Sequence, residues 1–178
     1  KEIGIADRVA FDSLDPNGFE DFMVGQESLL IPVGLDRFRD QTVAKFPREA
    51  EQVRLFFSYL GDLFQAGRYL HDQGLYLRSK SAMLWNLAFT LDVSLSTKWR
   101  AFRFAESSLG DLFDECRLSP EVRRYLYGHG GIFAENEGDI STVAYATATG
   151  YYHSGPRFPR QGFRGLVNAL VSSIRERG

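Results

Sequence analysis

The residues of this chain that could carry acid–base, nucleophilic or metal chemistry are few and far apart. His71, His129 and His153 lie in different segments, and none belongs to the H-x-x-x-H or C-x-x-C pairs from which zinc sites are usually built. Asp111 and Glu115 have helical spacing, which predicts a solvated helix face. No serine lies in a G-x-S-x-G motif. The sequence therefore predicts no metal site, and its catalytic residues are unknown.

Phosphate-binding and thiol chemistry are equally poorly supported. The chain has neither a G-x-G-x-x-G fingerprint nor a Walker loop. Its Gly128-His129-Gly130-Gly131 segment has a different spacing and follows a predicted helix, so it predicts a helix end. Cys116 stands beside two acidic residues in DECR, and neighbouring negative charge raises a thiol pKa, so we expect a structural cysteine.

Composition places the chain among ordinary globular domains. It has 178 residues, 44% of them hydrophobic, and a net charge of −2. Its basic residues are scattered, which argues against a nucleic-acid partner. A single cysteine excludes an internal disulfide and suits a reducing, cytoplasmic setting. Aromatic residues make up 14% of the chain, a share that suits a packed core or a pocket for flat or elongated ligands.

The first part of the chain is typical of short strands and turns. VAFDSL precedes the turn sequence DPNG, and FEDFMV and SLLIPV flank Gly25-Gln26-Glu27, which predicts a hairpin. Three such strands make only a small sheet, which normally needs helices packed against it.

From Gly34 onward the pattern becomes helical. The securest helix starts at Pro47 and carries apolar residues three and four positions apart to about Leu70. Ser119-Pro120 predicts a capped helix start, and Asp139 is the predicted cap of the small-residue helix STVAYATATGYY. The predicted helices cover residues 35–46, 47–70, 79–89, 97–103, 108–115, 120–128, 141–152 and a last amphipathic segment around 166–174. We therefore predict an α+β fold, a small antiparallel β-element followed by a helix-rich domain.

Three stretches carry a family resemblance. YATATGYYHSGPRFPRQGFRGLVNALVSSIRERG, LFDECRLSPEVRRYLYGHGG and LIPVGLDRFRDQTVAKFPREAEQVRLFF follow one another in the order of corresponding stretches in flavoproteins. Together they resemble the FAD-dependent phytoene desaturase, carotenoid isomerase and retinol saturase family. Each motif is weak, but their order and spacing are specific, and the likeness spans nearly the whole chain.

The resemblance implies a place in a larger protein. Residues 1–178 would be the substrate-binding region of a two-domain flavoprotein whose Rossmann-type FAD domain lies outside this chain. The substrate would be apolar and polyene-like, a carotenoid or retinoid, and the flavin would supply the redox chemistry. The resemblance further implies an inactive isolated region with an exposed apolar face for the FAD domain. It is compatible with a cytoplasmic protein that contacts membranes peripherally.

The same resemblance implies site residues. The turn Pro159, Arg160, Gln161 and Gly162 would approach the flavin, although Gln161 replaces a usual glycine and adds a side chain there. The expected substrate contacts are His129, Tyr151, Tyr152, His153 and Phe158.

Two other functions fit the sequence. A flavin amine-oxidase-type enzyme would share the plan but need aromatic walls around a small polar centre. A non-enzymatic helical interaction module would be polar over its whole surface.

Overall fold

The structure is a computed structural model. It describes the backbone of residues 5, 7–24, 27–74, 80–129 and 136–176, and the side chains of all of these except 24, 27, 80 and 129. The α+β fold is confirmed, with small antiparallel strand pairs and a helical body.

The strands form two separate antiparallel pairs. Strand β2 (Glu20–Val24) and strand β3 (Glu27–Ile31) pair as the predicted hairpin, although the turn residues 25 and 26 lie outside the described part. Strand β1 (Phe11–Ser13) instead pairs with β4 (Arg157–Pro159), near the other end of the chain.

The β1–β4 pair corrects the prediction of one early sheet. The glycines and prolines of HSGPRFPRQG are typical of a turn, yet its central residues Arg157–Pro159 form β4. Pro159 lies opposite Phe11 in a two-stranded pair, where a missing N–H group costs little because each strand has a free edge.

Eight α-helices lie in the described part of the chain. The first four are α1 (Leu35–Lys45), α2 (Ala50–Asp72), α3 (Lys80–Phe89) and α4 (Leu95–Phe104). The others are α5 (Leu109–Glu115), α6 (Pro120–His129), α7 (Thr142–His153) and α8 (Gly162–Glu176). Residues 47–49 form a short 3-10 turn that leads into α2.

Serine residues begin several of these helices. Ser108 and Asp111 form a reciprocal capping box at α5, and the Ser94 side chain accepts the Thr97 N–H at α4. At α7 the cap is Ser141, which accepts from Ala144, and not the predicted Asp139. Ser141 directly precedes the first helical residue, where a short hydroxyl side chain can reach the free N–H groups, while Asp139 lies two residues before that position.

Helix α2 is the centre of the core. Val53, Phe56, Leu60 and Leu63 are almost completely buried, and α1, α4 and α7 all pack against α2. Truncating a buried leucine to alanine typically costs about 2–5 kcal/mol. The α2 stripe therefore holds the surrounding helices in place.

Helices α2 and α7 approach each other closely at two glycines. A Cβ added at Gly150 would lie 2.1 Å from the Phe64 ring, and one at Gly67 would lie 2.4 Å from the Thr147 hydroxyl. A larger residue at either position would require the facing side chain or the helix itself to shift. This seam fixes how the two helices that line the candidate site are spaced.

Within the described residues, no helix is long and apolar enough to span a bilayer.

Candidate ligand-binding site

The main candidate site is an apolar cavity of about 560 Å³ between α2, α3, α4 and α7. Its volume falls within the range of about 300–1,000 Å³ typical of small-molecule sites. The described lining residues are Leu63, Ala66, Gly67, Leu70, Met83, Leu84, Leu87, Ala101, Ala105, Ser141, Val143, Ala144, Thr147 and Ala148. We call this space the helical cavity.

Small residues keep the helical cavity open. Ala144, Thr147 and Ala148 of α7 lie three and four positions apart, so they share the face that α7 turns towards α2. Ala101 of α4 and Ala105, which directly follows α4, are also four positions apart. Short side chains on two walls leave space that the leucines and Met83 of the other walls do not fill.

The chemistry available inside the helical cavity is limited. Among its described lining residues, none is charged, and only Ser141 and Thr147 carry a hydroxyl group. Such walls bind a ligand by removing apolar surface from water, at roughly 25 cal/mol per Å². They cannot supply a general acid, a general base or a redox group.

A second depression of about 500 Å³ lies at the C-terminal end of α7. Its lining residues are Leu14, Phe19, Glu20, Tyr151, Tyr152, Pro156 and Arg157. Tyr151 and Tyr152, both predicted substrate contacts, are thus brought together here, and we call the depression the tyrosine cleft.

Aromatic contacts position both tyrosines. The Tyr151 ring lies edge-on to Phe64 at 5.4 Å and to His71 at 5.8 Å, both on α2. The Tyr152 ring is 6.1 Å from Phe19. Edge-to-face pairs at such distances are favourable beyond the area they bury. Aromatic side chains therefore form part of the walls of the cleft.

The tyrosine cleft and the helical cavity lie along one helix. Tyr151 is seven residues beyond Ala144, which corresponds to about 10 Å along α7 on the same face. The close contact of Gly150 with the Phe64 ring lies between the two depressions.

Glu20 gives the tyrosine cleft its acidic group. Partial burial raises the pKa of the Glu20 carboxyl by desolvating the charged form. Arg157 lines the same cleft. The cleft can thus offer hydrogen-bonding groups to a polar end of a ligand.

The predicted flavin-facing turn is exposed. Pro159 is buried, whereas Arg160 projects outward and pairs with Asp12 at 2.7 Å. Gly162 has a φ of 67°, which favours glycine, and no atom lies within 4 Å of where its Cβ would stand. Phe158, a predicted substrate contact, is exposed and lies edge-on to Phe163 at 5.3 Å.

Exposed aromatic rings border this turn. Gly162 leaves its outer side open, and the exposed Phe158 and Phe163 rings provide an apolar surface next to it. Gln161 is exposed, and its Cβ lies 2.5 Å from where a Cβ of Gly165 would stand, so the first turn of α8 is tight. The turn contains none of the glycine-rich backbone that cradles a pyrophosphate.

His153 has a packing role in the structure. It is buried, its Nδ1 donates to the Pro32 carbonyl at 2.9 Å, and its ring stacks on Phe38 at 5.0 Å. Burial lowers the pKa of His153 to about 4, although the Pro32 hydrogen bond opposes that shift. At neutral pH the ring is therefore uncharged and joins the end of α7 to α1 and the hairpin.

His129 ends α6, but its side chain and residues 130–131 lie outside the described residues. Cys116 is buried, and burial followed by the Glu115 charge raises the pKa of its thiol to about 12, which confirms a structural cysteine. In the described part of the chain, no group of three or more His, Cys, Asp or Glu side chains could hold a metal ion.

Sequence reasoning missed the helical cavity. The signal was present in the alternation of alanine and threonine in TVAYATATG and in Gly67 on the facing helix. A run of small residues predicts close packing as readily as a cavity, so the sequence could not choose between them.

No family model, curated protein or solved structure matches this chain.

Proposed function

We propose that this chain is the substrate-binding region of an FAD-dependent oxidoreductase or isomerase that acts on an apolar, polyene-like substrate such as a carotenoid or retinoid. The observation that carries the proposal is the helical cavity, with its apolar walls and its volume of about 560 Å³. The chain is inactive alone, because its own residues bind and orient the substrate without transforming it.

The walls of the helical cavity favour an apolar ligand. A charged or strongly polar ligand would lose its hydration there without gaining partners, since Ser141 and Thr147 are the hydroxyl groups among the described lining residues. A long hydrocarbon loses nothing on leaving water. The tyrosine cleft, further along α7, then receives the end of the ligand that carries a polar group.

The redox group has to come from outside this region. A bound flavin would supply hydride or electron transfer. Residues 158–163 would contribute one apolar wall beside its ring, through Phe158, the open side of Gly162 and Phe163. The phosphate-binding part of the cofactor would be held by another domain.

The amine-oxidase-type alternative is supported by the tyrosine cleft. Tyr151 and Tyr152 with Glu20 place aromatic walls around a polar group, which is the arrangement that a small amine would need. The helical cavity has no role in that alternative. A purely polar interaction module is the least compatible alternative, because the surface carries exposed Trp85, Leu91 and Phe163.

The proposal is tested by the visible spectrum of the protein that contains this chain, purified without added cofactor. We expect the absorption bands of an oxidised flavin, bleached by a reductant, and a shift of these bands when a polyene is added. A colourless and well-folded protein that takes up no added FAD would contradict the oxidoreductase function. Tight binding of FAD by the isolated chain would contradict the assignment of the cofactor to another domain.

A further inference from the structure

The tyrosine cleft lies where three parts of the fold meet. One wall comes from the last turn of α7, one from the residues that enter β2, and one from the ends of β1 and β4. The backbone holds two of these walls in place, because the Leu14 N–H donates to the Pro156 carbonyl at 3.2 Å and the Phe19 N–H donates to the Ile31 carbonyl at 3.0 Å. The cleft is therefore a product of the tertiary fold.

Three aromatic side chains of the cleft are open to a ligand. Tyr151 and Tyr152 are each 40% exposed, and Phe19 is half-buried. The centroids of the Phe19 and Tyr152 rings are 6.1 Å apart and the ring planes are tilted by 45°, so the two faces do not cover each other. A cation is attracted to the face of an aromatic ring when it lies within about 6 Å of the centroid. A group bound in the cleft can meet that condition for more than one ring.

The charged groups of the cleft are balanced. Among its described lining residues, the charged ones are Glu20 and Arg157. Glu20 is half-buried, and a carboxylate attracts a cation more strongly there than in open water. The C-terminal end of α7, which supplies both tyrosines, adds the partial negative charge of a helix end. A ligand that complements these groups carries one positive and one negative group.

We propose that the tyrosine cleft binds a small zwitterion whose positive group is a methylated ammonium, as in the choline phosphate group. The methyl groups would pack on the rings of Phe19, Tyr151 and Tyr152, beside the Glu20 carboxylate. The anionic group of the ligand would pair with the Arg157 guanidinium.

The apolar share of the cleft favours a methylated ammonium over a primary one. A primary ammonium has three N–H donors, each of which needs an acceptor when water is removed. Leu14, Phe19 and Pro156 offer no side-chain acceptor, and Glu20 supplies the carboxylate among the described lining residues. A quaternary ammonium has no N–H donor, and its methyl groups suit aromatic walls.

Binding of such a zwitterion is a separate property from the flavin-dependent function. It requires neither a flavin nor a ligand in the helical cavity. A quaternary nitrogen has no lone pair to lose to a flavin, so this ligand also differs from the substrate of an amine-oxidase-type enzyme.

The test is isothermal titration calorimetry of the full chain with phosphocholine, choline and dimethylbutanol, the neutral isostere of choline in which carbon replaces nitrogen. We expect saturable binding of phosphocholine and weaker binding of choline, which lacks the anionic group. The neutral isostere should bind at least tenfold more weakly than choline, because it keeps the shape and loses the charge. Vesicles of phosphatidylcholine distinguish the source of the ligand. Competition with phosphocholine would identify a lipid headgroup, and binding of phosphocholine without competition a free small molecule.

Variants assign the role of each group. Glu20→Gln should weaken choline binding at least tenfold, because it removes the negative charge and keeps the side-chain shape. Tyr152→Ala should weaken it as well, whereas Tyr152→Phe keeps the ring and should bind like the unaltered chain. Arg157→Gln should weaken the binding of phosphocholine but not of choline. Glu121→Gln, on an exposed position of α6, is the matched control and should change neither affinity.

Absence of saturable phosphocholine binding by the unaltered chain would overturn the proposal. Equal binding of choline and its neutral isostere would do the same, and so would unchanged affinity in folded Glu20→Gln and Tyr152→Ala. Circular dichroism establishes that the variants are folded. If Tyr152→Ala does not fold, the result for Glu20→Gln decides.

Discussion

Helices α7 and α8 are neighbours in the sequence and meet opposite surroundings. Helix α7 has small residues, and Tyr145 and Ala146 are completely covered by the helices around them. Helix α8 has the clearer apolar stripe, yet Phe163, Val167, Val171 and Ile174 of that stripe are exposed. An apolar stripe therefore identifies the face of a helix that is suited to a partner, but that partner can lie beyond the described residues.

The difference in burial follows from the elements that pack against each helix. The small residues of α7 allow α2 to approach closely at Gly67 and Gly150. Helix α8 packs mainly on the short strand β4, and its far end is held by an ion pair between Arg8 and Glu176. A two-stranded pair is too small to cover a helix of 15 residues. The exposed face on α8 agrees with the predicted docking surface for an FAD domain, which stays a prediction.

The largest expected effect is the dependence of the free energy of unfolding on pH, which tests the packing of α7 through His153. The pKa of buried His153 is lowered to about 4, below the ordinary value of about 6.5, so the unfolded state takes up the proton first as pH falls. The stabilisation that neutral His153 contributes is therefore complete above about pH 6.5. It is lost as pH falls towards 4, which lowers the free energy of unfolding by roughly 3 kcal/mol. Urea unfolding at a series of pH values across this range measures that loss.

His153→Gln is the matched variant for that measurement. It should unfold more easily at pH 7, because it loses the stacking on Phe38, and it should lose the dependence on pH between about 4 and 6.5. An unaltered slope in the variant would show that other groups produce the pH effect.

A second test concerns the close approach of α2 and α7. Gly150→Ala should destabilise the fold by about 2 kcal/mol, because its Cβ would overlap the Phe64 ring. Gly61→Ala is the control, since no atom lies within 4 Å of a Cβ there and alanine favours a helix by about 1 kcal/mol. Chemical denaturation of both variants should give changes of opposite sign, and equal effects would refute the close packing.

The smallest effect is expected on α8. Val171→Ser replaces an exposed residue of the stripe, so the free energy of unfolding should change by less than about 0.5 kcal/mol. Tyr145→Phe on α7 is the contrasting change, because it removes a hydroxyl group that donates to the Leu126 carbonyl at 2.9 Å, at a cost of about 1 kcal/mol. A larger loss at Val171 would mean that α8 is covered after all.

Much of the fold was readable in the sequence because its signals are local. The long apolar stripe of α2, the serine at position 108 and Ser119-Pro120 each specify a helix or its start within a few residues. The hairpin of β2 and β3 was predicted from the glycine that separates two apolar segments. Strand β4 was missed because its pairing with β1 joins residues about 150 positions apart.

The candidate site was less predictable for a physical reason. Tyr151 and Tyr152 were expected to contact substrate, and they do line a cleft, but the helical cavity consists of space left between four helices. No short segment encodes such a space. His153 is the opposite case. A histidine beside two tyrosines suggests a binding site in the sequence, but in the fold this side chain packs on Phe38 and bonds the Pro32 carbonyl. Both contacts depend on the tertiary fold and have no local signal.

The most direct test of the central claim is a fluorescence titration of the chain with retinol, an apolar polyene, compared with its Ala148→Phe variant. Ala148 lines the helical cavity, so a phenyl group there should fill it and weaken binding at least tenfold. Ala169→Phe, the same change on α8 and outside the cavity lining, should bind like the unaltered chain while circular dichroism confirms that both variants are folded. Saturable binding that only Ala148→Phe weakens is the predicted result, and absence of binding, or equal binding by both variants, would contradict it.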